Sequence, residues 1–265
     1  IRGGSLNRVV LAHSAVLVRH PKATFLYDTG LCGDIGTHLA SQSFVFRHTL
    51  GKFNFECSLG AYLRHLGITP SDLAFALLSH LHWDHVSGIL DLPGVCLRIN
   101  RVEYEAAQRG LLNANQALVR RLMHDNPIKL FECAGPAYED FPSSYDLFGD
   151  GALVLVPLPG HTAGSTGMFV NRSNGPRLLL IGDAAWVAGN YRRPATMHPV
   201  IWSAVTSDDA AARKTLLALR RFSLRRPDVA LIAMHDAAAQ AAFTAPLPIH
   251  AGAEQHVPGQ NGKVP

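Results

Sequence analysis

The stretch Ser79-His80-Leu81-His82-Trp83-Asp84-His85 follows directly on the run Leu73-Ala74-Phe75-Ala76-Leu77-Leu78. The run is continuously apolar, the pattern of a strand buried on both faces. It stops at a cluster that holds three histidines and an aspartate within six positions. In an extended loop alternate residues point the same way, so His80 and His82 can approach one ion while Asp84 and His85 turn toward a second. Imidazole nitrogen and carboxylate oxygen suit zinc, and other first-row divalent ions accept the same donors.

One cluster leaves two ions under-coordinated, so further ligands are expected downstream. Three candidates stand where strands are expected to end. His161 lies in the turn Pro159-Gly160-His161-Thr162-Ala163-Gly164, Asp183 follows Leu178-Leu179-Leu180-Ile181-Gly182, and His235-Asp236 follows Val229 to Met234. A carboxylate such as Asp183 has two oxygens and can bridge cations about 3.5–4 Å apart. Of the fourteen histidines, the remaining nine (His13, His20, His38, His48, His65, His124, His198, His250 and His256) are given no role.

Around these turns the pattern is sheet-rich. Ser14 to Val18 and Ala23 to Tyr27 read as two strands joined at His20-Pro21-Lys22, the second ending in Asp28-Thr29-Gly30. Further strands are expected at Val95–Ile99, Ala152–Val156, Thr166–Val170, Leu178–Ile181 and Val229–Ala233. Helices are expected over Ser58–Leu66, over Glu103–Met123, and from an N-cap at Ser207 through Phe222. Residues 31–56, with Phe44, Val45, Phe46, Phe53 and Phe55, read as an irregular stretch that walls a pocket or plugs the core. Strands in runs with helices between them argue for sheets with helices packed outside.

Composition bounds the remaining classes. The 265 residues are 48% hydrophobic and 17% charged, which fits neither a disordered chain nor, without a long apolar run, a membrane-spanning helix. The 24 basic and 20 acidic residues give a net charge of +4 with no basic stripe, so no nucleic-acid partner is expected. Four cysteines without a CxxC are too sparse for a disulfide framework. Ile1 stands where an initiator Met would, so the start reads as incomplete, and a cytoplasmic setting is the expectation.

Taken with these motifs, the chain resembles the metallo-β-lactamase superfamily from about residue 8 to residue 240. The resemblance rests on Asp28-Thr29-Gly30, the His80-Leu81-His82-Trp83-Asp84-His85 motif, the His161 turn, Gly182-Asp183 and His235. It implies an αββα sandwich over residues 1–244, two mixed sheets flanked by helices, with 245–265 as a surface tail. It also implies two zinc ions: His80, His82 and His161 on the first, Asp84, His85 and His235 on the second, and Asp183 bridging. A hydroxide shared between such ions would be the nucleophile of a hydrolase, with Asp84 relaying the proton.

Among subfamilies the pattern is most similar to the N-acyl homoserine lactonases, so a small ester or lactone is the expected substrate. Those lactonases often carry a tyrosine three residues after the bridging aspartate. Here that position is Trp186, and Tyr191 is the candidate to supply the hydroxyl. Trp83, Trp186, Met197 and Trp202 are candidates to line an apolar substrate pocket. A phosphodiesterase or thioesterase on the same site, or a metal-containing binding or regulatory protein, are the alternatives.

Overall fold

The computed structural model describes residues 11–40, 57–109, 119, 123 and 125–243. The first sheet runs in the order β1 (Val16–His20), β2 (Ala23–Tyr27), β3 (Phe75–Leu77), β4 (Leu97–Asn100), β5 (Ile128–Phe131). Its first pair is the antiparallel hairpin, with Val16 opposite Tyr27, and the other pairings are parallel. The second sheet is β10 (Val229–Ile232), β9 (Arg177–Leu180), β8 (Thr166–Val170), β7 (Leu153–Pro157), β6 (Tyr145–Asp146). There β10 and β9 pair in parallel and the remainder antiparallel.

Alternation along the strands distributes side chains among three apolar layers. Phe25, Tyr27, Phe75 and Leu77 of the first sheet meet Leu153, Leu155, Met168, Leu180 and Ile232 of the second. The intervening residues Leu26, Ala76 and Leu97 turn outward onto helices α1 (Ile35–Ala40) and α2 (Leu59–His65). On the other side Val154, Val156, Phe169, Leu179 and Leu231 pack under Leu216, Leu219 and Phe222 of α7 (Asp209–Arg225). Two mixed sheets covered by helices on both outer faces make the expected αββα sandwich. Helices α3 (Trp83–Val86) and α4 (Arg101–Arg109) add to the outer layer on the first sheet, α5 (Ala188–Arg192) and α6 (Pro199–Val205) to that on the second, and α8 (Ala237–Ala241) follows β10.

Several boundaries differ from the sequence expectation. The helix expected over 103–123 is described as α4, which ends at Arg109; residues 110–118 and 120–122 lie outside the described residues. Helix α7 is capped by Asp208 rather than Ser207, its carboxylate accepting the Ala211 amide at 2.9 Å. Strands β5 and β6 were not expected. One is a partly exposed edge strand and the other spans two residues, so neither carries a strong apolar signature. The aromatic stretch from Phe44 to Phe55 and the tail at 245–265 lie outside the described residues. Among the described residues no helix is long and apolar enough to cross a membrane.

Phe222 has no solvent exposure, and its ring lies 5.6 Å from Phe141 and 5.7 Å from Phe169. Phe222→Ala removes this ring from a closed aromatic cluster and leaves a cavity. A loss of about 3–5 kcal/mol is expected, read as a lowered urea midpoint with an unchanged slope.

Candidate metal centre

The candidate ligands arise at the ends of β3, β7, β9 and β10. Parallel strands aim their following loops at one edge of the sandwich, so donors distant in sequence meet there. After β3 the chain passes through the extended residue His82 into α3, which places His80 and His82 before the helix and Asp84 and His85 within it. The turn that carries His161 is closed by Leu158 N–H donating to the Ser165 carbonyl at 2.8 Å. It is tied to the first loop where Thr166 N–H donates to the Ser79 carbonyl at 2.9 Å. Gly182, at φ +51°, lets the chain leave β9 sharply and present Asp183; a Cβ there would also crowd Ser79 at 3.2 Å.

Asp183 sits at the middle of the donors. Its Oδ2 is 3.1 Å from His235 Nε2, 3.3 Å from His161 Nε2 and 4.0 Å from His80 Nε2. Its Oδ1 is 3.2 Å from His85 Nε2. His80, His82, His161 and Asp183 form one set of donor atoms all within 4.8 Å of one another, and His85, Asp183 and His235 form another. Asp84 joins the second group, its Oδ2 lying 3.4 Å from His235 Nε2 and 3.9 Å from His85 Nε2. All seven expected ligands are therefore brought together, with Asp183 common to both sets.

The donor set fits divalent cations. His80 Nε2, His82 Nε2, His85 Nε2, both ring nitrogens of His161 and Asp183 Oδ1 are buried, and none makes a well-directed hydrogen bond within the protein. Buried polar atoms in such number are costly unless something else satisfies them. The outward-facing nitrogens of His80, His85 and His235, by contrast, are anchored. His85 Nδ1 lies 2.8 Å from Asp28 Oδ2, His80 Nδ1 lies 3.0 Å from Ser79 Oγ, and His235 Nδ1 lies 2.6 Å from the Ala12 carbonyl. Imidazoles held by one nitrogen, with the other aimed inward, are arranged as metal ligands are.

Electrostatics separates the histidines into two kinds. Burial, reinforced by neighbouring imidazoles, lowers His80 well below its usual pKa and takes His82 down to about 3. For His85 burial acts downward too, but Asp183, Asp28 and Asp84 outweigh it and raise the pKa well above normal. His235 is raised in the same way by Asp183 and Asp84. Burial would push Asp183 up, yet His235 and His85 together hold it far below the usual carboxylate range.

The residues proposed as substrate contacts divide. Trp186 stands beside the centre, its ring 5.5 Å from that of His235, and Trp83 is buried with its ring 5.7 Å from His13. Tyr191 does not supply a hydroxyl to the site. It is buried on the helix side of the second sheet, where its hydroxyl faces the Leu231 carbonyl at 3.4 Å. Trp202 belongs to that same helix-side core, its indole N–H donating to Asp209 Oδ1 at 2.5 Å, and Met197 packs against it. Helix α5 turns Tyr191 inward against apolar neighbours, so closeness in sequence to Trp186 does not carry it to the metal edge.

Two residues given no role in the sequence also belong here. His13 Nδ1 lies 3.3 Å from Asp84 Oδ2, and its ring is 5.5 Å from that of His235. Nothing in the sequence around His13 marks it, because long-range packing alone brings it there. Asp28, read from sequence only as a motif marker, has φ +56° and accepts from Ser79 N–H at 2.7 Å, from Ser79 Oγ at 2.8 Å and faces His85.

A description of the Metallo-beta-lactamase superfamily matches residues 8–235. Among curated proteins, N-acyl homoserine lactonase AttM of Agrobacterium fabrum is 28% identical over 68% of this chain and 67% of its own. N-acyl homoserine lactonase AiiB of the same organism is 29% identical over 74% of this chain and 71% of its own. A solved structure of B. thuringiensis AiiA with N-decanoyl-L-homoserine bound at its active site superposes with a TM-score of 0.67. It is 21% identical and covers 88% of this chain and 85% of that one, a likeness of fold.

Two outcomes follow from the site's charges. Metal ligation needs neutral imidazole, and the carboxylates that raise the pKa values of His85 and His235 favour their protonated forms in the metal-free protein. Zinc uptake should therefore release protons, and apparent affinity should fall as pH falls. Calorimetry in buffers of different ionisation enthalpy reads this directly; zero release would contradict it. Asp28→Asn keeps a residue tolerant of positive φ but removes the charge behind His85. Zinc affinity should weaken by about 10- to 100-fold in chelator competition.

Proposed function

This chain belongs to the metallo-β-lactamase superfamily, and from that membership we infer that it is a metal-dependent hydrolase of small lactones or carboxylic esters. N-acyl homoserine lactones are the substrate class to try first, on the likeness to AttM and AiiB. The observation that carries the reading is the convergence of six buried donors and the partly buried Asp84 in one centre about Asp183, several of them making no well-directed hydrogen bond in the protein.

Two divalent cations fit, with zinc preferred. His80, His82 and His161 would hold one; Asp84, His85 and His235 would hold the other; and Asp183 would lie between. When bound, such a pair supplies an activated water and a positive charge for the oxygen that gains charge as the carbonyl is attacked. Asp28, Ser79 and the Ala12 carbonyl fix the imidazole rings so that little reorganisation is needed.

Asp84 is the proton carrier in this scheme. In the metal-free protein burial opposes its charge, but His85, His13 and His235 lower its pKa, so the carboxylate is ionised at neutral pH and has an oxygen that can receive a proton. A weakly basic carboxylate gives that proton up readily to the ring oxygen as the acyl carbon–oxygen bond breaks. The lactone and one water then become a hydroxy acid. Trp186 beside the centre offers apolar surface to an acyl chain.

Zinc-loaded protein incubated with N-acyl homoserine lactones and aryl esters should consume one or both. His80→Ala and Asp183→Ala should lose metal and lower kcat/KM by at least about 100-fold. Hydrolysis of bis(p-nitrophenyl) phosphate alone would move the assignment to phosphodiesters. No turnover of any of these by zinc-loaded protein would reject it.

A further inference from the structure

Glu103 lies in the first turn of α4 and is 1% exposed. Its side chain does not point to solvent as a helix carboxylate usually does. Oε1 accepts the Leu81 N–H at 2.9 Å, and Oε2 accepts the Gly164 N–H at 2.9 Å. Leu81 stands between His80 and His82, and Gly164 lies in the turn that carries His161. One carboxylate therefore holds both loops that supply the three-histidine set.

The surroundings keep this strap short. A Cβ on Gly164 would fall 2.2 Å from the Glu103 backbone nitrogen, so only glycine permits the turn to approach α4 this closely. Asn100, at the end of β4, ties the same corner: its Nδ2 donates to Thr166 Oγ1 at 3.1 Å while its Oδ1 accepts the Val102 N–H at 3.0 Å. Burial pushes the Glu103 pKa up, and the donors on Thr162, Leu81 and Gly164 oppose that. A buried carboxylate is worth its desolvation only where such charge-assisted bonds are made.

We propose that Glu103 is a positioning residue that sets the spacing between the His80–His82 loop and the His161 turn, and so tunes cation binding by those three histidines. The proposal rests on the metal reading above. It goes beyond it in giving a buried helix residue, which touches neither cation nor substrate, control over one half of the centre. Glu103→Gln is the sharpest variant. Its amide retains one acceptor oxygen but turns an NH2 toward a backbone N–H, so one loop is released. Glu103→Asp keeps the charge and is one methylene too short to reach both amides.

The test compares wild type, Glu103→Gln and Glu103→Asp by zinc competition against a chelator, by visible spectra of the cobalt-substituted forms, and by melting of the metal-free proteins. In both variants one cation should bind about 10- to 100-fold more weakly while the other is held as in wild type. The cobalt spectrum should change, and metal-free melting should move little. Affinity within twofold of wild type at both sites, with an unchanged spectrum, would overturn the proposal. So would a loss of metal-free stability with no change in affinity, which is the mark of a purely structural residue. Should Glu103→Gln fail to fold, Glu103→Asp decides by the same criteria. Wild type that binds no zinc or cobalt would instead defeat the metal reading itself, and with it this proposal.

Discussion

Four imidazole nitrogens, from His80, His85, His161 and His235, lie within 4.0 Å of the oxygens of one buried carboxylate, Asp183. Removing so many ionisable groups from water is costly unless they neutralise one another or share cations. The protein does part of this internally. The surrounding carboxylates favour the cationic forms of His85 and His235, while burial, reinforced by neighbouring imidazoles, keeps His80 and His82 neutral. The remaining inward-facing nitrogens and Asp183 Oδ1 have no protein partner of good geometry. A centre of this kind is stable in proportion to what fills it, which is why metal, protons and fold are coupled here.

That demand falls on the backbone at the strand ends. The seven donors enter the centre from four strand ends, and the segments that carry them are tied to one another. Thr166 N–H reaches the Ser79 carbonyl, Thr29 N–H reaches the His85 carbonyl at 2.9 Å, and Ala12 N–H reaches the His235 carbonyl at 3.0 Å. Asp28 adopts a left-handed conformation that non-glycine residues seldom take, and there its carboxylate meets both Ser79 and His85. The apolar layer between the sheets holds these ends in register, since Tyr27, Leu77 and Leu180 immediately precede the turns and are almost fully buried. The Tyr27 hydroxyl spans the layer to the Thr166 carbonyl at 2.9 Å, linking the two sheets at the level of the centre.

Much of this was legible in the chain. A strand buried on both faces leaves an unbroken apolar run, and β3 showed one; ligands clustered within six residues, as His80 to His85 are, cannot be separated by any fold. The strand expected over Ala23–Tyr27 is β2, in which the structure turns Phe25 and Tyr27 to one face and Leu26 to the other. The edge strands β5 and β6 gave no such signal because they bury little. Tyr191 and Trp202 were misplaced for another reason. An aromatic near a site in sequence looks the same whether its helix turns it toward the site or toward the core, and here α5 and α6 pack both against the second sheet.

The sequence alone determined the donor chemistry, the strand ends that present it and a sheet-rich core with helices outside, because those depend on residue type and on periods of two and 3.6 that local geometry imposes; the αββα layering was implied by the resemblance. Only the tertiary structure decided which remaining groups serve the centre. His13 beside Asp84, Asp28 behind His85, and Glu103 between the Leu81 and Gly164 amides are each contacts between segments remote in the chain. No local pattern encodes such a contact; it exists once packing has fixed where each segment lies.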